Sequence, residues 1–173
     1  MKIEPTKQLD ESIRETLDTV AENIHQVFEY VFSPTRSQGV VHGDLWNNNI
    51  LFSKEVECKL VDWQFCCRMN PLVDVAFLLS SSVSVSLRKA NEQEWIQIYH
   101  ENLLRATGTT TTQYTLVQCE REYHEAKLYA LLIMVASFDS FYEPHAEEES
   151  DIAHRYITLI HEVQDVLPTI IPK

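Results

Sequence analysis

The chain has 173 residues, 45% of them apolar, a formal charge of −12 and a pI near 4.9. That is the length of one domain with enough apolar material for a packed core, which excludes a disordered chain. No basic run is present, so no nucleic-acid partner is expected, and the acidity reads as a solvated surface before it reads as attraction for cationic substrates.

Four cysteines, Cys58, Cys66, Cys67 and Cys119, form no CxxC pair. They read as reduced core thiols and not as a zinc or redox motif. The first residues, Met1 to Pro5, hold no apolar segment of the secretory kind. The longest apolar stretch, 128–138, is too short to span a bilayer and reads as a buried helix. The expected setting is cytoplasmic, with no membrane partner.

In chain order, residues 10–32 place Ile13, Leu17, Val20, Ile24, Val27, Phe28 and Val31 at steps of three and four, which predicts an amphipathic helix. Ser12 with Glu15 suggests a capping box, and Ser33-Pro34 stops the helix. The period then changes. Val40-Val41 leads into His42-Gly43-Asp44, Ile50-Leu51-Phe52 is a short apolar run, and Leu60-Val61 is another that ends at Asp62. Two short strands in a hairpin are predicted there, with loops entering and leaving. The remainder reads as helical: 71–80, 91–106 with Trp95, Ile98, Tyr99 and Leu103 on one face, 115–138 starting at Thr115 with Gln118, and 150–167 before Pro168. Thr109 to Thr112 reads as an exposed loop, and Glu147, Glu148, Glu149 and Asp151 as a solvated acidic run. His154 and His161 lie seven apart and read as surface residues in preference to a metal pair. Phe138, Phe141 and Tyr142 suit a substrate pocket or helix packing equally.

The chemistry concentrates in Asp44, Asn49 and Asp62. Phosphoryl transfer needs one carboxylate to take or orient the acceptor's hydroxyl, another to hold Mg²⁺ against the phosphates, and a neutral amide oxygen to complete the metal shell without added repulsion. Asp44 and Asn49 bracket one short loop. Pairing the two strands of the hairpin would return Asp62 to the side of Asn49, although thirteen positions separate them.

The segment His42-Gly43-Asp44-Leu45-Trp46-Asn47-Asn48-Asn49 resembles the catalytic loop of the protein-kinase-like superfamily, whose HxDxxxxN pattern is followed by an Asp-led metal motif, here Asp62-Trp63-Gln64. The wording HGDLWNNNILF, then VDWQF, is most similar to the ecdysteroid-kinase-like (CHK-like) group, related to choline kinases and aminoglycoside phosphotransferases. Pro71-Leu72-Val73-Asp74-Val75-Ala76 fits the helix that comes after the metal Asp in these kinases. The resemblance spans essentially the whole chain and is most specific over 40–79.

It implies an α+β fold, mostly α: the C-terminal lobe of a protein-kinase-like fold, with a small β-hairpin carrying the catalytic and metal-binding loops. The subdivisions are an N-terminal helix (1–33), the catalytic loop and hairpin (40–64) and a helical subdomain (71–173). It also implies ATP and Mg²⁺, with Asp44 as catalytic base or hydroxyl-orienting residue and Asn49 and Asp62 as metal ligands. His42 braces the loop, and Asp74 caps its helix or ties the loop down. Trp46 and Trp63 are candidates for the cleft wall or for substrate contact.

Two departures shape the expectation. Asp62 is followed by Trp-Gln and not Phe-Gly, and only eight residues separate Gln64 from Val73. That leaves no room for a long activation loop and favours a small-molecule acceptor. The chain also has three glycines, Gly39, Gly43 and Gly108, so it holds no GxGxxG flap, and no lysine-bearing VAIK-like strand precedes the motif. The chain therefore reads as a C-lobe whose N-lobe or partner chain is missing. The expected function is ATP-dependent phosphotransfer to a hydroxyl of a small molecule of steroid or amino-alcohol type. The alternatives are a catalytically silent kinase-like binding module, or a truncated product inactive without an N-lobe.

Overall fold

The computed structural model describes residues 11–34, 37–54, 57–137 and 149–171, without the side chains of 149–151. The fold is mostly helical α+β. The helix expected over 10–32 is two helices, α1 (Glu11–Glu22) and α2 (Ile24–Val31). They part at Asn23, whose side-chain amide donates to the Thr19 carbonyl at 2.9 Å. A short amide that bonds the preceding turn competes with the helix ladder, which is how Asn ends helices. Ile13, Val20, Val27 and Val31 of the expected stripe are buried, while Phe28 faces outward.

The expected hairpin forms: β2 (Ile50–Phe52) pairs antiparallel with β3 (Cys58–Leu60), placing Ile50 opposite Leu60. A second antiparallel pair lies outside the expectation. β1 (Gly39–Val41) joins β4 (Cys67–Met69), with Val41 opposite Cys67 and Gly39 opposite Met69. Period-two alternation turns Val41 and Met69 into the core and leaves Val40 exposed. Cys67-Arg68-Met69 has one polar and two weakly β-forming neighbours, so its pairing is set by the core beneath Met69 and not by propensity.

Beyond the sheets the body is helical. α3 (Leu72–Ser82) begins after Pro71, and α4 (Val85–Thr107) ends at Gly108, whose φ of 69° is the left-handed cap glycine favours. Of the face expected on α4, Trp95, Tyr99 and Leu103 pack inward; Ile98 is exposed and Ile96 and His100 are buried instead. α5 (Leu116–Ala136) is capped as expected, its Gln118 amide donating to Thr115 Oγ1 at 3.1 Å. The last predicted helix, α6 (Glu149–Gln164), stops short of 167, and Pro168, expected to follow the helix, instead sits in the first turn of a separate single turn, α7 (Leu167–Ile170), where no helical donor is lost.

α5 is the centre of the body. It packs chiefly on α3, with α6, α4 and α2 around it, and is buried nearly all round from Glu122 to Leu131. A helix so enclosed must neutralise its polar residues. Lys127 reaches Glu162 at 2.9 Å and Glu92 at 3.1 Å, and buried Arg88 adds two bonds to Glu162, at 2.7 and 3.0 Å. Two cations thus meet two carboxylates between α4, α5 and α6. Burial acts to raise the pKa of Glu92, but Lys127, the Tyr123 hydroxyl and Arg88 outweigh it and hold the carboxyl below its usual range; Glu162 is lowered likewise against burial, by Arg88 and Lys127. Buried Glu122 is satisfied by four neutral donors: Ser37, Asn70, Tyr114 and Gln118.

The reading of the cysteines as core thiols holds for Cys119 alone. Cys58, Cys66 and Cys67 are exposed and unbridged, because they lie on the small sheets and the turn between them, above the helical core. His154 and His161 are exposed. Phe138, Phe141, Tyr142, Glu147, Glu148 and the side chains of Glu149 and Asp151 lie outside the described residues. No described helix is long and apolar enough to cross a membrane.

Candidate active site

The site is built on the ledge where the two small sheets meet the first turn of α3. β1 delivers His42 into the interior, almost without exposure. The backbone N–H of His42 donates to Asp74 Oδ2 at 2.6 Å, and that of Gly43 to Asp74 Oδ1 at 2.9 Å. One carboxylate on α3 therefore grips two successive peptides of the loop. These bonds are those of a tie to the loop, one of the two roles expected for Asp74. Burial raises the Asp74 pKa, and the two backbone donors act against that rise.

The His42 ring fixes the path of the chain into Asp44. The Asp44 amide donates to His42 Nδ1 at 3.3 Å, so the proton sits on Nε2, which donates to the Val61 carbonyl at 2.7 Å. His42 thus braces the loop entering Asp44 against the strand end that precedes Asp62. Both ring nitrogens are engaged. Trp63 covers this brace, its ring 4.7 Å from that of His42 and its indole N–H donated to the Leu60 carbonyl.

After Asp44 the chain makes one 3₁₀ turn, Asn47–Asn49, and enters β2. The Asn49 amide nitrogen donates to the Asp44 carbonyl at 2.8 Å and to Asp44 Oδ2 at 3.1 Å. Its side-chain oxygen remains as an acceptor. The hairpin carries the chain back toward the loop: the Val61 amide donates to the Asn49 carbonyl at 3.0 Å, so Val61 faces Asn49 and Asp62 follows one residue on. Asp62 is exposed and left-handed, with φ of 62°, a region Asp tolerates better than most residues. Gln64 donates to its Oδ2 at 3.4 Å.

Asn49 Oδ1 and the Asp62 carboxylate are hard oxygen donors on adjoining segments. That set suits Mg²⁺, which takes one or two protein ligands and completes its octahedron with phosphate oxygens and water. Among the described residues no cluster of three His, Cys, Asp or Glu could hold a metal alone, so a metal here would depend on donors from its nucleotide.

On the other side of Asp44 lies a cavity of about 430 Å³, lined by Gly43, Asp44, Trp46, Phe65, Tyr129, Ile133, Ala136 and Ser137. Its wall is mostly apolar, and Asp44 is its one charged lining residue. Trp46 is part of this wall; Trp63 is not, standing instead against His42. Two wall residues carry no signal in the sequence. Tyr129 lies on α5, 86 positions from Gly43, yet its hydroxyl donates to the Gly43 carbonyl at 2.6 Å. Phe65 is hidden in the turn after Gln64. Only the apolar stretch of α5 hints that this helix closes the site.

The chain belongs to the ecdysteroid kinase-like family: the family profile matches residues 2–111, more than half of its length and the whole segment from His42 to Asp74. The family is one of kinase-like phosphotransferases. No curated protein and no solved structure matches the chain.

Proposed function

We propose that this chain carries the acceptor-binding and metal-binding half of an ATP-dependent kinase that phosphorylates a hydroxyl group of a small, uncharged, ring-bearing molecule. One observation carries the reading: the Asp44 carboxylate lines the apolar cavity and also accepts a hydrogen bond from Asn49. The acceptor chamber and the metal-ligand segment therefore share one carboxylate.

In the reaction the acceptor oxygen forms a bond to the terminal phosphorus of ATP, the bond from that phosphorus to the bridging oxygen breaks, and ADP leaves. Asp44 orients the acceptor hydroxyl and receives its proton. Asn49 and Asp62 would hold the cation. Mg²⁺, when bound, supplies charge neutralisation on the phosphate oxygens. His42 and Asp74 keep the loop in register, and catalysis rests on positioning and electrostatics with no covalent intermediate.

The apolar wall supports a steroid-like acceptor, because its aromatic and aliphatic side chains can bury rings.

Calorimetric titration of Mg-ATP, with Asp62→Asn as control, tests the metal half. Weak, Mg²⁺-dependent binding that falls tenfold or more (about 1.4 kcal/mol) in the variant is expected. Absence of binding at millimolar nucleotide would overturn independent nucleotide recognition by these residues. Phosphate transfer to a panel of hydroxysteroids and amino alcohols tests the acceptor half. Transfer that survives Asp44→Asn would sink the assignment of Asp44.

A further inference from the structure

We propose that Tyr129 is a positioning residue: its phenol fixes the peptide that carries Asp44 while its ring forms the wall on which the acceptor rests. This rests on the kinase reading for its consequence, though not for its geometry.

Gly43 is held through both of its peptide units. Its N–H is given to Asp74 on α3, and its carbonyl takes the Tyr129 hydroxyl from α5. Asp74 and Tyr129 belong to the two helices that pack most extensively on each other, so the loop is suspended between two mutually packed elements of the body. Asp44 is the next residue. Gly43 holds φ of 81°, a conformation with no preference of its own for this loop shape, so the two anchors select it. Burial, with the charges of Asp74, Cys67 and Asp44 adding to it, pushes the Tyr129 phenol far above its usual range. It therefore stays a neutral donor at every working pH. The ring meanwhile lines the cavity and is set by an edge contact from Phe32, centroids 6.2 Å apart. An acceptor seated on the ring therefore presses on the group that aims Asp44.

The test uses the whole chain, with ecdysone as acceptor probe. Tyr129→Phe keeps the wall and removes the tether. The expected result is a kcat about tenfold lower, the fold-change that one hydrogen bond of roughly 1.4 kcal/mol represents, with KM for ecdysone within about twofold of the parent. Tyr129→Leu removes the wall too and should raise that KM about tenfold or more, leaving KM for ATP unchanged. Amide exchange followed by mass spectrometry on the unliganded protein gives a readout free of activity. Exchange over 40–45 should rise about tenfold in Tyr129→Phe while that of α4 stays as it was. An unchanged kcat, or exchange that is unchanged or rises evenly through α4 and α5, overturns the proposal. Should the parent phosphorylate neither ecdysone nor any hydroxysteroid, the reading of these residues as sufficient for transfer falls. The exchange comparison then decides the tether alone, with lost protection at 40–45 upholding it and retained protection refuting it.

Discussion

The helical body and the ledge above it solve the problem of polar groups in opposite ways. In the body, charges are buried and matched: Arg88 and Lys127 against Glu92 and Glu162, with Glu122 among four neutral donors. On the ledge, Asp44 is half-buried, Asp62 is exposed, and neither meets a cation among the described contacts. Their places are set by bonds to backbone, from His42, Asn49 and the hairpin register. Matched charge in the body stabilises the fold and leaves nothing for a ligand. Carboxylates held by their backbone neighbours remain available to one. The same chain thus separates the residues that keep it folded from those that could act.

Unbalancing the body puts this contrast under the greatest stress. Arg88→Met leaves Glu162 and Glu92 with Lys127 alone, and removing one member of a buried ionic group costs about 3–5 kcal/mol. Chemical denaturation should show that loss; a change under 1 kcal/mol would mean that water already screens the network (~1 kcal/mol being the surface value).

Asp74→Asn probes the seam between the two regions. An amide has one acceptor where the carboxylate has two, so one of the two N–H groups from His42 and Gly43 meets another donor. About 1–3 kcal/mol of stability should go, with a larger proportional loss in phosphate transfer than in melting temperature, because the affected peptides lead into Asp44. Equal losses in both would make Asp74 a part of the body and not of the ledge.

A pH series separates charge from packing in the body. Glu92 and Glu162 have folded-state pKa values below their unfolded ones, so their contribution is complete above the usual glutamate range and disappears as pH falls through the depressed values. The stability gap between parent and Glu162→Gln should therefore be widest near neutrality and shrink as pH falls below the usual glutamate range. A gap that is constant with pH would assign the effect to packing.

The smallest effect belongs to the hairpin tip. Phe52 is 71% exposed, so Phe52→Ser should shift stability by no more than about 0.5 kcal/mol. A larger loss would show that the hairpin packs on something in solution.

The same contrast explains how far the sequence alone can be read. The bond between Asp44 and Asn49 and the return of the chain to Val61 opposite Asn49 are legible because they are local: one turn and one hairpin register set them. Thr115 is legible because a cap is a feature of adjacent residues. The joining of β1 to β4 is not, since Cys67-Arg68-Met69 gives no alternation and its partner strand lies across the whole catalytic segment. Nor is the bond from Tyr129 to Gly43, in which a helical tyrosine indistinguishable from core meets a backbone carbonyl, and backbone carries no residue identity. The network of Arg88, Lys127, Glu92 and Glu162 escapes for a similar reason: spread over three helices, each looks like an ordinary surface charge.

Gly43 does more than supply a backbone angle. A Cβ placed there would stand 2.5 Å from the Phe65 carbonyl oxygen and 3.0 Å from the Phe65 side chain. The loop of Asp44 and the turn beyond Asp62 are therefore spaced by a hydrogen atom, and the left-out methyl is the gauge between them. Every other amino acid would wedge the two segments apart. In a library of random substitutions this position should appear among the most intolerant in the chain, although it has no side chain with which to do chemistry.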